Sequence, residues 1–278
     1  MFFTLSESIT FGCIPQEELI RAKPVSSDAR QVFFTLPERN KKTKRILMIY
    51  ARRQEEIVLP RVTLLDIKGD PYVHSLIEAG NRHLAAIGYT EHGLRHVGLV
   101  SHIASNILEK MEHTERECEL AAIAGYLHDI GNAVNRVSHA QTGAILATSI
   151  LQRHGMNPEE IAVIIGAIGN HDETDGNPVN NISAALILAD KSDVHRSRVR
   201  NLDLSTFDIH DRVNYAVEKS FLRVYPQERV ALELTIDTEI CPVMEYFEIF
   251  LARMLLCRKA AGFLNTKFEL KINEVKLL

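Results

Sequence analysis

The chain lacks paired cysteines. Its four, Cys13, Cys118, Cys241 and Cys257, are scattered with no Cys-x-x-Cys spacing. That argues against a disulfide scaffold and for reduced thiols in a cytosol. It also lacks a basic excess: the net charge of -4 offers no field for docking on nucleic acid. A nucleotide is not excluded by this, because a metal site supplies positive charge locally. The opening MFFTLSESITFG has no basic n-region and no long apolar h-region, so no signal peptide is expected. Long apolar runs are missing too. IAVIIGAI is far short of the ~20 residues of a membrane span. VMEYFEIFLARMLLC is longer but is interrupted by Glu245, Glu248 and Arg253. Repeats, low-complexity tracts and obvious flexible linkers are absent. These absences together predict a cytoplasmic protein with neither a membrane nor a nucleic acid as partner.

What is present is an ordinary globular composition, 46% hydrophobic and 24% charged over 278 residues. The texture changes twice along the chain. Residues 1–69 hold the β-type runs QVFFTL, RILMIYA and RVTLLDI between charged turns, and read as a β-rich region. From Asp70-Pro71 to residue 202 the apolar period is helical. Residues 203–278 read strand-strand-helix-strand, from FLRVYP, RVALELTID, a helix over about Pro242 to Ala261, and FELKINEVKLL. The expected fold class is α+β: an all-α core with smaller β-rich and β/α flanks.

The helical middle is well punctuated. Thr90 is read as capping a helix to about Met111, on which His96, Val100, Ile103, Ala104, Ile107 and Met111 form the inward stripe. His102 falls about 240° round that wheel and faces water. Thr114 and Glu117 form a capping box for a helix running to His128 and Asp129, with Gly131 read as its stop. A third helix spans about His139 to Gly155. A fourth opens at Asn157-Pro158 and ends at Asn170-His171; being apolar all round, it is read as central. A fifth carries SAALILAD and is expected to continue toward Arg200.

Adjacent helical residues point about 100° apart, so His128 and Asp129 can share a target only at a helix end, which is where they stand. Asp190 continues the inward stripe of Leu186, Ile187 and Val194. A buried carboxylate needs a cation, and a metal is an economical one. Taken singly, His139 can be a polar helix start, and His171 reads more readily as a helix-end histidine facing the dipole than as a ligand. His74, His83, His102, His113, His154 and His210 have no pattern around them and read as incidental. Imidazole and carboxylate together are the donors that divalent metals take.

The segments HGLRHVGLV, LAAIAGYLHDIGN and LILADKSD resemble, in order and spacing, the H…HD…D signature of the HD-domain superfamily, mostly metal-dependent phosphohydrolases. SHAQTGAIL and AIGNHDETDGNP are similar to later steps of its two-metal branch, which includes diadenosine tetraphosphate hydrolases and HD-GYP phosphodiesterases. The resemblance implies two divalent ions (Fe, Mn, Co, Zn or Mg) held by His96, His128, Asp129, His139, His171 and Asp190, with Asp129 as catalytic bridge. His96 is preferred over His92 because Val100 follows it by one turn. This sequence departs from the family in three places: Asn132 stands where many relatives have lysine, DGNPVN replaces the GYP triplet, and Asn170-His171 replaces a histidine pair.

The implied activity is hydrolysis of a phosphate ester or anhydride, of a nucleotide or dinucleotide, by a hydroxide held between the metals. Arg196 and Arg198 are candidates for binding further phosphates, though a basic run is more often a solvated face. The rival reading is a regulatory HD protein that binds metal or nucleotide with little turnover, and homo-oligomer formation is left open.

Overall fold

The helices begin where the chain offers side-chain caps. A computed structural model describes residues 61–201 and 203–277. Thr63 caps α1 (Leu64–Lys68), Asp70 caps α2 (Pro71–Ala86) with Pro71 in the first turn, and α3 (Leu94–Lys110) starts from Gly93. Thr114 and Glu117 close a capping box on α4 (Glu115–Leu127). A 3-10 turn at Ile130–Ala133 leads to α5 (His139–Arg153), and Asn157 caps α6 (Pro158–Gly169). Asn180 caps α7 (Asn181–Ser192). Beyond it come α8 (Ile209–Ala216), β1 (Val217–Tyr225), β2 (Arg229–Ile236), α9 (Val243–Phe263), β3 (Lys267–Ile272) and β4 (Val275–Lys276).

α3, α4 and α7 pack on one another, with α6 against α4, α5 and α7. The strands make one sheet in the order β1-β2-β3-β4. β1 and β2 pair antiparallel, β2 and β3 parallel, and β3 and β4 antiparallel. The parallel pair needs a crossover, and α9 is that crossover, lying on both β3 and α7. On β3, Phe268, Leu270 and Ile272 are buried in alternation, the period of a strand with one face on the core. A single hydrophobic cluster runs from Ile67 through Leu127 and Ile187 to Phe250 and Leu270, so helices and sheet share one core. The fold class is α+β. No helix among the described residues is long and apolar enough to cross a membrane.

Several expectations need correction. RVTLLDI is not a strand: Thr63 and Asp66 form a capping box and the chain turns helical at Leu64. Thr90 is not the cap of α3, which starts four residues later. α7 ends at Ser192, well short of Arg200, because Asp193 leaves helical geometry (φ -82°, ψ 73°). α6 is not buried all round, since Ala162 is exposed and Val163 and Ile165 are half-buried. An unforeseen helix, α8, precedes the sheet. QVFFTL and RILMIYA lie outside the described residues.

Candidate metal centre

Each proposed ligand is brought inward by a helix or a helix end. His96 is on the buried stripe of α3 and His102 is exposed on its far side. α4 ends at Leu127; His128 keeps helical angles (φ -57°, ψ -36°), and Asp129 leaves them (φ -98°, ψ 2°). That change of ψ lets adjacent side chains converge. His139 opens α5 after Ser138, whose left-handed φ of 58° turns the chain into the helix. For a residue that is not glycine such a conformation costs about 1–3 kcal/mol. His171 follows the end of α6, and Asp190 lies in the last turn of α7.

The donor atoms fall into two groups that meet at Asp129. In the first, His96 Nε2 is 3.6 Å from Asp129 Oδ2 and 3.4 Å from Asp190 Oδ1. His128 Nε2 is 3.4 and 3.7 Å from the same oxygens, and 3.3 Å from His96 Nε2. Donors each about 2.0–2.2 Å from one tetrahedral ion lie roughly 3.3–3.6 Å from each other. In the second group, His139 Nε2 is 3.5 Å and His171 Nε2 is 3.9 Å from Asp129 Oδ1, and the two nitrogens are 3.2 Å apart. Asp129 Oδ2 is buried without a hydrogen-bond partner among the described residues. An orphaned buried carboxylate oxygen costs at least ~1–3 kcal/mol, so the donor set fits a bound cation.

The imidazoles are held in one tautomer. Nδ1 of His128, His139 and His171 donates to the carbonyls of Gly125 (2.8 Å), Arg136 (3.0 Å) and Ile168 (2.6 Å). His96 Nδ1 donates to Asp193 Oδ2 at 2.7 Å. Every Nε2 lone pair therefore faces the centre. Burial pushes His171 down to about 3, with His128 and His139 adding to the effect, and it also lowers His139. Both are neutral donors near pH 7. Burial opposes ionisation of Asp190, but Lys191 and the neighbouring histidines keep its carboxyl well below the usual range. The same contest at Asp129 is won by His128 and the other imidazoles.

Around the ligands lies a charged frame that the sequence reading missed. Lys191 Nζ is 2.8 Å from Asp190 Oδ2 and 2.6 Å from Glu173 Oε2, and Arg253 Nε is 2.8 Å from Glu173 Oε1. Lys191 thus takes up Asp190 Oδ2 and leaves Oδ1 to the centre. Asp193 is held by Arg95 Nη2 at 2.8 Å and Arg198 Nε at 3.5 Å. Asn132 Nδ2 donates to Asp129 Oδ1 at 2.9 Å, so Asn132 orients the Asp129 carboxylate. One signal was available: Arg253 is a lone cation in an otherwise apolar stretch of α9, and such a charge requires a partner.

Arg196 and Arg198 do not act as a pair, because the helix that would have carried both ends at Ser192. Arg196 reaches Glu218 at 3.1 Å, stacks over Tyr215 and does not line the centre. Arg198 lines it but is buried, donating to the Glu91 and Asp193 carbonyls. His92 stands beside His96, its Nδ1 donating to the Thr90 carbonyl at 2.7 Å. Next to the centre is a cavity of about 240 Å3, lined among others by Tyr89, His92, Arg136, Arg198, Asp208, His210, Asn214, Phe250 and Arg253. His210, read as incidental, is part of its wall.

With this geometry in view, the HD domain family model matches residues 93–202. The chain carries a domain of the HD superfamily. An uncharacterized protein of Methanocaldococcus jannaschii is 23% identical over 205 residues, covering 65% of this chain and 78% of that one. A crystal structure of a predicted HD superfamily hydrolase from an uncultured Thermotogales bacterium is 23% identical. Its TM-score is 0.36, and the match covers 45% of this chain and 67% of that one. The HD domain spans all six candidate ligands, whereas Arg253 and Phe250 come from outside it.

The contact between Asp193 and His96 gives a direct test. Asp193→Asn keeps an acceptor for His96 Nδ1 but removes the charge that holds Arg95 and Arg198. Removing such an outer partner typically weakens metal binding about 10–100-fold. Competition with a chromogenic chelator measures this, and an affinity within twofold of the parent protein would mean that His96 is oriented without Asp193.

Proposed function

We propose that the protein is a metal-dependent phosphohydrolase acting on phosphate esters or anhydrides, with a nucleotide or dinucleotide as substrate. The observation that carries this reading is Asp129, whose two oxygens each face a separate pair of histidine Nε2 atoms. His96, His128, Asp129 and Asp190 would hold one ion; His139 and His171 would hold a second across Asp129. When bound, the ions supply Lewis acidity toward a phosphoryl oxygen and lower the pKa of water. The chain itself supplies the rest. Lys191 and Asn132 fix the two carboxylates, and the Nδ1 hydrogen bonds fix the imidazoles. Arg136 and Arg253 at the edge of the centre favour an anionic ligand.

A second reading, with one ion, is favoured by one contact: Arg136 Nη1 lies 3.3 Å from His139 Nε2, where a second ion would otherwise be met. A regulatory role with little turnover is tested by the same experiment as the main reading. Protein stripped by a chelator should be inactive on an aryl phosphate and on a panel of nucleotides, and manganese, iron or cobalt should restore hydrolysis of at least one compound. Metal-loaded protein that binds nucleotides but turns over none of them would favour the regulatory role.

A further inference from the structure

The metal centre and the adjoining cavity share four wall residues: His92, Arg136, Arg198 and Arg253. These form a neck between the two spaces, and three of them are arginines. Their hydrogen-bonding capacity is not equally spent. Arg198 is committed to backbone carbonyls through Nε, Nη1 and Nη2. Arg253 is different. Its Nε is tied to Glu173, its guanidinium lies 4.5 Å from the centroid of the Phe250 ring, and Nη1 and Nη2 make no hydrogen bond among the described residues. Burial disfavours its charge, but Glu173 and Asp190 more than compensate and raise its pKa. Arg136 lies 5.5 Å from the centroid of the Tyr89 ring and otherwise has, among the described residues, the long contact to His139 and a 3.8 Å approach to Asp172. Two guanidinium groups with spare donors therefore face the passage leading away from the metal ligands.

We infer that Arg253 and Arg136 form a second anion subsite, and that the substrate is an organic diphosphate whose terminal phosphorus sits at the metal centre. This rests on the phosphohydrolase reading above and deepens it. Guanidinium groups bind phosphate through paired, charge-assisted hydrogen bonds, which is the role left open at this neck. The cavity beyond, at about 240 Å3, is below the ~300–1,000 Å3 of pockets that engulf drug-sized ligands. It suits one nucleoside-sized group lying near Tyr89 and Phe250. In the reaction, the oxygen of water bonds to the terminal phosphorus and the bond from that phosphorus to the bridging oxygen breaks. The bridging oxygen keeps the electron pair and leaves on the organic monophosphate, the water proton passes to solvent, and inorganic phosphate is the other product. Arg253 and Arg136 would neutralise the charge that grows on the departing monophosphate.

The test uses the metal-loaded full chain in two assays. With manganese loaded and binding read before turnover, wild type should bind inorganic pyrophosphate about tenfold more tightly than inorganic phosphate. Arg253→Ala should shrink that preference to within about threefold, and Arg253→Lys should recover part of it. With manganese loaded, kcat/KM for adenosine diphosphate should exceed that for adenosine monophosphate by at least about tenfold, and Arg253→Ala should reduce the ratio. Equal binding of pyrophosphate and phosphate by wild type would overturn the subsite, as would an Arg253→Ala variant that loses both equally. So would active enzyme that prefers the monophosphate. If the pyrophosphate preference is present and depends on Arg253, but no phosphate compound is hydrolysed, the subsite stands and the phosphohydrolase reading fails.

Discussion

Asp129→Asn should lower turnover on the order of 10³-fold or more and should take metal content from the proposed two ions per chain to one or none. The reason is local. Among the described residues Asp129 is the one side chain whose two oxygens reach both donor groups, and its Oδ2 has no hydrogen-bond partner there. Asparagine presents one oxygen and an NH2, so one group must face a donor instead of an acceptor, and the charge that balances an ion is gone. The fold should persist, because Asn132 still has the Asp129 backbone carbonyl to bond. Elemental analysis of loaded, desalted protein, together with circular dichroism, separates the effects. His139→Ala and His171→Ala should each remove only one ion. A parent protein that never exceeds one ion per chain, with the His139 and His171 variants fully active, would leave the one-ion reading.

Gly131→Ala should be strongly destabilising for so small a change. A Cβ at position 131 falls on the carbonyl oxygen of His139 and within 2.6 Å of the Gly143 amide nitrogen. Both are backbone atoms of α5, so no side-chain rotation relieves the clash. The helix start must retreat, and His139 goes with it. Overpacking against backbone places the expected loss at about 3–5 kcal/mol, the extreme end for a single substitution. Urea unfolding measures the stability and elemental analysis the second ion. Gly98→Ala is the control: it is interior to α3 with nothing within 4 Å of the added Cβ. It should be neutral or stabilising by up to ~1 kcal/mol. A Gly131→Ala protein that unfolds at the same urea concentration as Gly98→Ala would show that the α4–α5 junction is more yielding than its contacts suggest.

Gly131 also shows what the sequence leaves out. It reads as a helix stop, and α4 does end before it, but it lies inside the 3-10 turn and its further value is the close approach of α5. What was legible came from short-range signals. The helical period put His96 inward and His102 outward, and the Thr114 capping box placed the start of α4. The end of that helix gave the His128-Asp129 pair its common target. The charged frame was illegible for the opposite reason. Glu173, Lys191, Asp193 and Arg253 acquire meaning from partners up to about eighty or a hundred positions away, and only the packing of α7 against α3 and α9 brings them together. The same holds for Arg196, whose place depended on where α7 would stop.

The contribution of α9 has a consequence for how the protein comes into being. Synthesis proceeds from the N-terminus, and domains tend to fold as they emerge. By the time residue 202 is made, every histidine and aspartate of the metal centre has been translated, while Arg253, Phe250 and the parallel partner of β2 have not. A chain cut short there would carry every candidate ligand but lack both the Arg253 side of the cavity wall and the C-terminal share of the common core. Completion of the C-terminal crossover is thus the step that would join the candidate ligands to the rest of their surroundings.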